Sequence, residues 1–451
     1  MSQDIRIKRG VDIKLKGRAS NEITGPFRSE TFALKPSDFH GVIPKLLVKE
    51  GDEVKAGTPI FYSSASERVM FTSPVSGEIA SIQRGAKRAI ERIVILADKE
   101  DRFEDFGAAD PSGMNREAVI EKMLSAGVWP FIRQRPYNVI ALPDDTPKAI
   151  FISGFDSNPL APSLTMITES QDDDFQTGID ALAKLTSGKI HLSVHKELGE
   201  SSAYRNVKGV EKHTISGPHP SGNVGVQIHH IDPINKGDKV WFVAPQDVLI
   251  IGRLFRTGNY NPAITIALTG SEVKEPRYVR TTKGVCVAAL IHNGQVQDNV
   301  RVISGNVFTG GKIPVDGYLR AYDQQITVIP EENEPEFFGW ALPRMHKFSL
   351  SKAYFSWLTP NKEYRLSTSA NGEKRAFVVT GEYEKVFPMD IYPAQLVKSI
   401  LMNDIEAMEN LGIYEVSEED FALAEFSCTS KMELQKIVRE GTDMMITEMG
   451  V

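Results

Sequence analysis

Residues 48–61 read VKEGDEVKAGTPIF and residues 71–79 read FTSPVSGEI, two apolar stretches broken by a Gly-Asp turn, an Ala-Gly turn and a Pro-x-x-Gly turn. Glycine supplies the positive φ that tight hairpins need, so this punctuation dictates where the chain must reverse. The runs between the turns, Val42–Val48, Pro59–Tyr62, Val69–Thr72, Glu78–Ile82 and Arg92–Leu96, are too short for helices. They predict an all-β module over residues 1–100.

The paired hairpins resemble the β hammerhead of biotinyl and lipoyl carrier domains. Those carriers present a lysine at the hairpin tip, because an amine is needed to form the amide to the prosthetic acid. Here the tip is Ser63-Ser64-Ala65-Ser66-Glu67-Arg68. A covalent cofactor is therefore not expected.

After residue 100 the pattern changes. Asn115–Ala126 and Phe175–Leu185 carry apolar residues at helical spacing, and Lys148–Ser153 is a short apolar run of the kind buried in parallel sheets. Lys189–His195 alternates, with Ile190, Leu192 and Val194 on one face and His191, Ser193 and His195 on a face expected to be solvated. Lys239–Val243 and Val248–Ile251 read as further strands. Strand, helix, strand in this order predicts an α/β layer over 101–258. Strand-like runs return at Val285–Ile291, Val300–Ser304 and Gln325–Ile329 within 259–330, and an acidic segment, Pro330–Glu336, leads into a C-terminal region, 331–451. That region predicts one helix over Ala394–Leu411 and a second opened by Ser417-Glu418-Glu419-Asp420, where acids favour the first turn.

Composition excludes several functions. Lys and Arg total 52 against 59 Asp and Glu, a formal charge of −7, and the cations are scattered among acids, so nucleic acid is not an expected partner. Two cysteines, Cys286 and Cys428, are too few for an iron–sulfur cluster, a four-thiolate zinc site or a disulfide framework. No apolar stretch is long enough to span a bilayer and the first residues carry no signal-peptide core, so a cytoplasmic chain is expected. There is no G-x-G-x-x-G and no G-x-x-x-x-G-K-[ST]; Thr309-Gly310-Gly311-Lys312 lacks both the earlier glycine and the hydroxyl.

The nearest candidate for a phosphate-cradling loop follows a strand, Ile152-Ser153-Gly154-Phe155-Asp156-Ser157-Asn158-Pro159, and a plain polar loop is the commoner reading of such a segment. Four of the nine histidines, His213, His219, His229 and His230, fall in one Gly/Pro-rich stretch that has neither helical His spacing nor nearby acids beyond Asp232, so a metal is not expected there. It reads better as a shaped loop beside a cleft. Aromatic clusters at Phe337–Trp340 and Tyr354–Trp357 suit core packing as well as they suit a quinone pocket or a partner interface.

Taken together, IKRGVDIKLKG (7–17), GDEVKAGTPIF (51–61), FTSPVSGEIASIQRGAKR (71–88), SGPHPSGNVGVQIHHIDP (216–233), VISGNVFTGG (302–311), EFFGW (336–340) and PMDIYPAQL (388–396) resemble the A subunits of Na⁺-translocating NADH:quinone oxidoreductases. The resemblance runs over nearly the whole chain. It implies a peripheral subunit on the cytoplasmic face of the bacterial inner membrane, docked with five other subunits that use NADH and flavins and carry electrons to quinone while Na⁺ is exported. The family is also similar to the flavin- and NADH-binding subunit of respiratory complex I and to the RnfC proteins. That likeness implies a Rossmann-like layer over 101–258 and a β-grasp (SLBB-like) module over 259–330.

The glycine-rich flavin loop and the cluster cysteines of those relatives are missing here. The chain is therefore expected to carry no flavin or cluster of its own and to serve the quinone end or assembly. A purely structural adaptor and a stand-alone flavin or NADH enzyme are the alternatives. No catalytic residue is expected. For a quinone, the candidate residues are Phe155, Asp156 and Asn158, facing His219 and His230: rings to stack on the head group and imidazoles to hydrogen-bond its carbonyls.

Overall fold

The computed structural model describes residues 2–293, 299–332, 345 and 347–450. The aromatic run Phe337–Trp340 and the end of the acidic segment lie outside the described residues.

The N-terminal hairpins form two facing sheets. Strands Thr31–Leu34, Ile90–Ala97, Gly77–Arg84 and Glu53–Val54 make one; Pro44–Leu46, Pro59–Ser63 and Ser66–Thr72 make the other. Phe61 and Phe71 stack between them with ring centroids 4.5 Å apart, over a core that includes Phe32, Val54, Ile79 and Ile95. Gly77 has φ +154° and a Cβ there would sit 2.0 Å from the Leu96 carbonyl oxygen, so the turn-to-strand junction accepts no side chain.

At the centre is a seven-stranded sheet built from β1 (Asp4–Arg6), β2 (Arg133–Arg135), β3 (Val139–Ile140), β4 (Ala149–Ser153), β5 (Lys189–His195), β6 (Glu211–Ser216) and β7 (Val240–Phe242), in the order β1-β6-β5-β4-β7-β2-β3. β1, β6, β5, β4 and β7 run parallel; β2 and β3 pair antiparallel at one edge. The chain steps outward from β4 through helix α1 (Asp172–Ala183) to β5 and β6. It then returns through α2 (Val224–Ile231) to place β7 on the other side of β4, followed by α3 (Pro245–Thr257). Right-handed crossovers in opposite directions put their helices on opposite faces. Accordingly Phe175, Ile179 and Leu182 of α1 share one core with Ile150, Ile152, Leu192 and α3, whereas Val226 and Ile228 of α2 share another with Phe151 and Ile215.

A six-stranded mixed sheet follows, containing Ala263–Thr269, Arg277–Thr282, Val300–Ser304, Gly311–Ile313 and Gln325–Pro330, with Ile23–Thr24 from the N-terminal region at its edge. The C-terminal helices Pro393–Leu401, Ile405–Asn410, Ala422–Ser427 and Leu434–Met449 cover the α2 face of the central sheet through Leu396, Val397, Phe421 and Val438.

Four expectations change. Val248–Ile251 is the middle of α3, opened by Pro245 at its first position and closed by Gly258 at φ +77°; a continuous apolar run does not distinguish a buried helix from a buried strand. Val285–Ile291 is a bridge at Val285 leading into the helix Ala288–Asn293. The helix expected over Ala394–Leu411 breaks at Asn403, φ +56°, and restarts with Asp404 accepting from Ala407 N. The His191 face of β5 is covered, because a parallel sheet has helices on both faces; His191 is 5% exposed. Ser417 and Asp420 do form the capping box that the acidic run suggests, at the start of a 3₁₀ turn over Glu418–Phe421.

Candidate cavity at the strand ends

β4 is the point where the sheet order reverses, and the crevice beyond the carboxyl ends of strands at such a point is the favoured ligand position in α/β folds. A cavity of about 450 Å³ lies there. The loop after β4 contributes Phe155, Asp156 and Asn158; the end of β7 contributes Phe242 and leads into the first turn of α3 through Ala244 and Pro245. Gly222, Asn223 and Val224 bring the start of α2 to the same wall, and Arg320, Tyr322 and Asp323 come from the loop before Gln325–Pro330.

Three of the five residues expected from sequence therefore meet in one place. Asp156 Oδ1 accepts from Asn158 N (2.8 Å) and from Asn158 Nδ2 (2.7 Å), so the two residues lock the loop after β4. Burial pushes the Asp156 carboxyl above the ordinary aspartate value. Asn158 Oδ1 has no hydrogen-bond partner among the described residues and is left as a buried acceptor. Its amide NH₂ is already committed to Asp156.

His219 stands behind this wall. It is 2% exposed, its Nδ1 lies 3.0 Å from Ser157 Oγ, and its ring stacks on Phe308 at 5.1 Å. Ser157 Oγ in turn accepts from Gly222 N (2.8 Å), so His219 props the β4 loop against the start of α2. His230 is elsewhere. It occupies the last turn of α2, about 10 Å of helix rise from the cavity end, with Nδ1 donating to Val226 O at 2.8 Å. Of its neighbours, His229 pairs with Glu415 at 2.6 Å and accepts from Asp390 N at 3.0 Å, while His213 lies on β6 beside His191. The structure thus disperses the histidines of 213–230 among three environments.

Residues that sequence reading passed over complete the wall. The guanidinium of Arg133 lies between two rings, 4.4 Å from the Phe242 centroid and 4.5 Å from that of Tyr322. Tyr322 OH donates to Pro130 O at 2.7 Å, which fixes the ring. Asp323 accepts from Ser304 Oγ (2.6 Å), and Glu418 and Glu419 enter from the C-terminal region. Arg135, next but one to Arg133, is fully buried and pairs with Glu419 (2.5 Å) and Asp420 (3.3 Å). Two arginines directly after the apolar run VWPFI at 128–132 were the available signal.

Asp38, Asp156, Asp323, Glu418 and Glu419 line the cavity against Arg133 and Arg320, five carboxyl groups to two guanidiniums. Such a wall disfavours a phosphate-bearing ligand. It offers ring faces, one cation between them and two amide oxygens, Asn138 Oδ1 and Asn158 Oδ1, that have no hydrogen-bond partner among the described residues.

An α/β layer with its cavity at the strand reversal, wrapped by a β sandwich and a helical cap, defines a class of multidomain α/β proteins with a cavity between modules. Family comparison makes the class specific. Residues 5–98 match the NqrA N-terminal barrel-sandwich hybrid domain, 114–260 the NqrA second alpha/beta domain, and 265–314 the NQRA C-terminal domain. The A subunit of the Na(+)-translocating NADH-quinone reductase of Neisseria meningitidis serogroup B is 37% identical over 440 residues, covering 97% of this chain and 98% of that one. Its counterpart of the same name from Rhodopirellula baltica is 35% identical over 442 residues (96% of each), and that of Vibrio anguillarum 35% over 448 (98% and 100%). The chain belongs to the family of Na⁺-translocating NADH-quinone reductase A subunits.

Proposed function

We propose that the chain is a peripheral subunit of a Na⁺-pumping NADH:quinone oxidoreductase, and that it holds the quinone head group in the cavity beyond β4 without a flavin or iron–sulfur cluster of its own. The observation that carries this reading is the composition of the wall. Phe155, Phe242 and Tyr322 supply ring faces, Arg133 supplies a donor for a quinone carbonyl, and Asn158 Oδ1 supplies an acceptor for a quinol hydroxyl. The excess of carboxyl groups speaks against NADH or a flavin nucleotide in the same space. We further read the β7–β4–β5–β6 layer as Rossmann-like and the following mixed sheet as β-grasp-like, from strand order. Among the described residues no helix is long and apolar enough to cross a membrane, so attachment on the cytoplasmic side would run through the other subunits, where NADH and flavins would act.

The test is a titration of the full chain with a short-chain ubiquinone, following tryptophan fluorescence. Trp241 lies on β7 next to the lining residue Phe242 and makes an edge contact with Trp129 at 5.6 Å, so occupancy should quench this buried pair. Saturable quenching is expected. Asn158→Ala should weaken it about fivefold, the worth of one hydrogen bond of about 1 kcal/mol. A linear response identical to that of an unrelated control protein would reduce the chain to an adaptor.

A further inference from the structure

At the amino ends of the same strands, away from the cavity, lies the only group of three His, Cys, Asp or Glu side chains among the described residues whose donor atoms converge closely enough to hold a metal ion. β5 and β6 are parallel neighbours, with His191 opposite Glu211 and Ser193 opposite His213. This register places His191 Nδ1 2.9 Å from His213 Nε2 and 3.9 Å from Glu211 Oε2, and all three donors lie within 4.8 Å of one another. Both imidazoles are buried, at 5% and 1% exposure.

We propose that His191, His213 and Glu211 form a binding site for one divalent transition-metal ion of the zinc class. Two imidazole nitrogens and a carboxylate are the ligand set of an open tetrahedral zinc site, with the fourth position left to water. Ligand atoms around a tetrahedral zinc lie about 3.3 Å apart at a metal–ligand distance of about 2.05 Å. Closing onto an ion thus needs the two nitrogens to part by about 0.4 Å and the carboxylate oxygen to approach His191 by about 0.6 Å and His213 by no more than about 1.5 Å. Such shifts are within the reach of rotations about the side-chain bonds.

Among the described residues His213 Nδ1 is buried with no hydrogen-bond partner, so none of them selects the tautomer that an N–H···N bond between the rings would require. A cation accepting both ring lone pairs would select it. Phe151 stacks on His191 at 4.6 Å and fixes that ring. Lys189 pairs with Glu211 through Oε1 and orients the carboxylate as an outer partner does in established sites, with Glu211 Oε2 3.9 Å from His191 Nδ1. Glu211 is the partly exposed member, so an ion would reach the imidazoles past its side chain. Because the ligands come from two adjacent strands that lie far from the cavity mouth, the ion would clip β5 to β6 and need not touch quinone. This inference therefore stands or falls independently of the proposed function.

The experiment uses the full chain, stripped by chelation and titrated with Zn²⁺ in competition with a chromophoric chelator. One ion per chain is expected, together with the d–d absorption of four-coordinate Co²⁺ when cobalt replaces zinc. His191→Asn and His213→Asn should each lower the affinity by about a hundredfold and Glu211→Gln by about tenfold, while His195→Asn, on the same strand face outside the cluster, should change nothing. Circular dichroism checks each fold; should a buried histidine variant fail to fold, the partly exposed Glu211→Gln decides. Absence of stoichiometric binding by the unsubstituted chain overturns the proposal. So does binding that survives Glu211→Gln unchanged, which would place the ion on other histidines such as His229 and His230.

Discussion

Replacing Gly252 by alanine should destabilise the protein, although alanine in a helix interior is ordinarily worth about 0.5–1 kcal/mol over glycine. The reason is the α1–α3 crossing. A Cβ on Gly252 would lie 1.7 Å from Asp174 O and 2.6 Å from its carbonyl carbon, and one on the facing Gly178 would lie 2.3 Å from Val248 O. Both obstacles are backbone, which does not rotate aside. To reach a tolerable separation of about 3.2 Å the helices must move apart by about 1.5 Å, and a gap of even half that size forfeits a quarter to a half of the dispersion energy across it. Phe175, Ile179 and Leu182 of α1 and Val248, Ile251 and Phe255 of α3 all lose contact. Overpacking of this kind costs about 3 kcal/mol, leaving about 2 kcal/mol of net loss after the helix-propensity gain. A chain of 451 residues in several modules does not promise one all-or-none transition, so local hydrogen exchange is the appropriate assay. Amides of α1 and α3 should exchange about 30-fold faster in Gly252→Ala, and quinone quenching should weaken because Ala244 and Pro245 at the start of α3 line the cavity. Unchanged or slower exchange would refute the claim that this close approach sets the helix crossing.

Other consequences are as direct. Arg135→Met strands Asp420 and Glu419 without their buried cation and should cost about 3–5 kcal/mol, read as faster exchange in the C-terminal helices that Asp420 helps to dock. His219 has its pKa pushed down to about 4 by burial, against an ordinary 6.5. The folded state therefore binds its proton less readily than the unfolded chain. The stability due to neutral His219 is fully present above pH 6.5 and is lost as pH falls towards 4, by about 2 kcal/mol between pH 7 and pH 5. Urea midpoints should show this slope in the native sequence and a shallower one in His219→Asn; identical slopes would place the titration elsewhere.

What the sequence disclosed follows from which physical signals are local. The N-terminal sandwich was legible because Gly51, Gly57 and Gly77 mark reversals within a few residues of the strands they join. Periodicity located β4, β5 and α1, and the Ser417–Asp420 spacing located a cap. Burial from both sides was not legible: the alternation in β5 looked like a half-solvated strand, because nothing near His191 announces that helices more than 200 residues further on cover its face. The cavity was half legible for the same reason. Phe155, Asp156 and Asn158 follow a strand and could be read in sequence, whereas Arg133, Tyr322 and Glu419 reach the site from three other parts of the chain.

The two ends of the central sheet differ by simple geometry. Where the strand order reverses, the loops after β4 and β7 diverge and leave a space that modules from both chain ends must wall; hence Asp38, Arg320 and Glu419 meet there. At the opposite end β5 and β6 lie side by side, register alone brings His191, Glu211 and His213 together, and no loop has to close over them. A ligand in the cavity would therefore be felt by every module, since each contributes to the wall. An ion at the histidine cluster would be felt only by the two strands that bind it. Quinone should accordingly slow hydrogen exchange in the β sandwich, the α/β layer and the C-terminal helices together, whereas zinc should protect β5 and β6 alone.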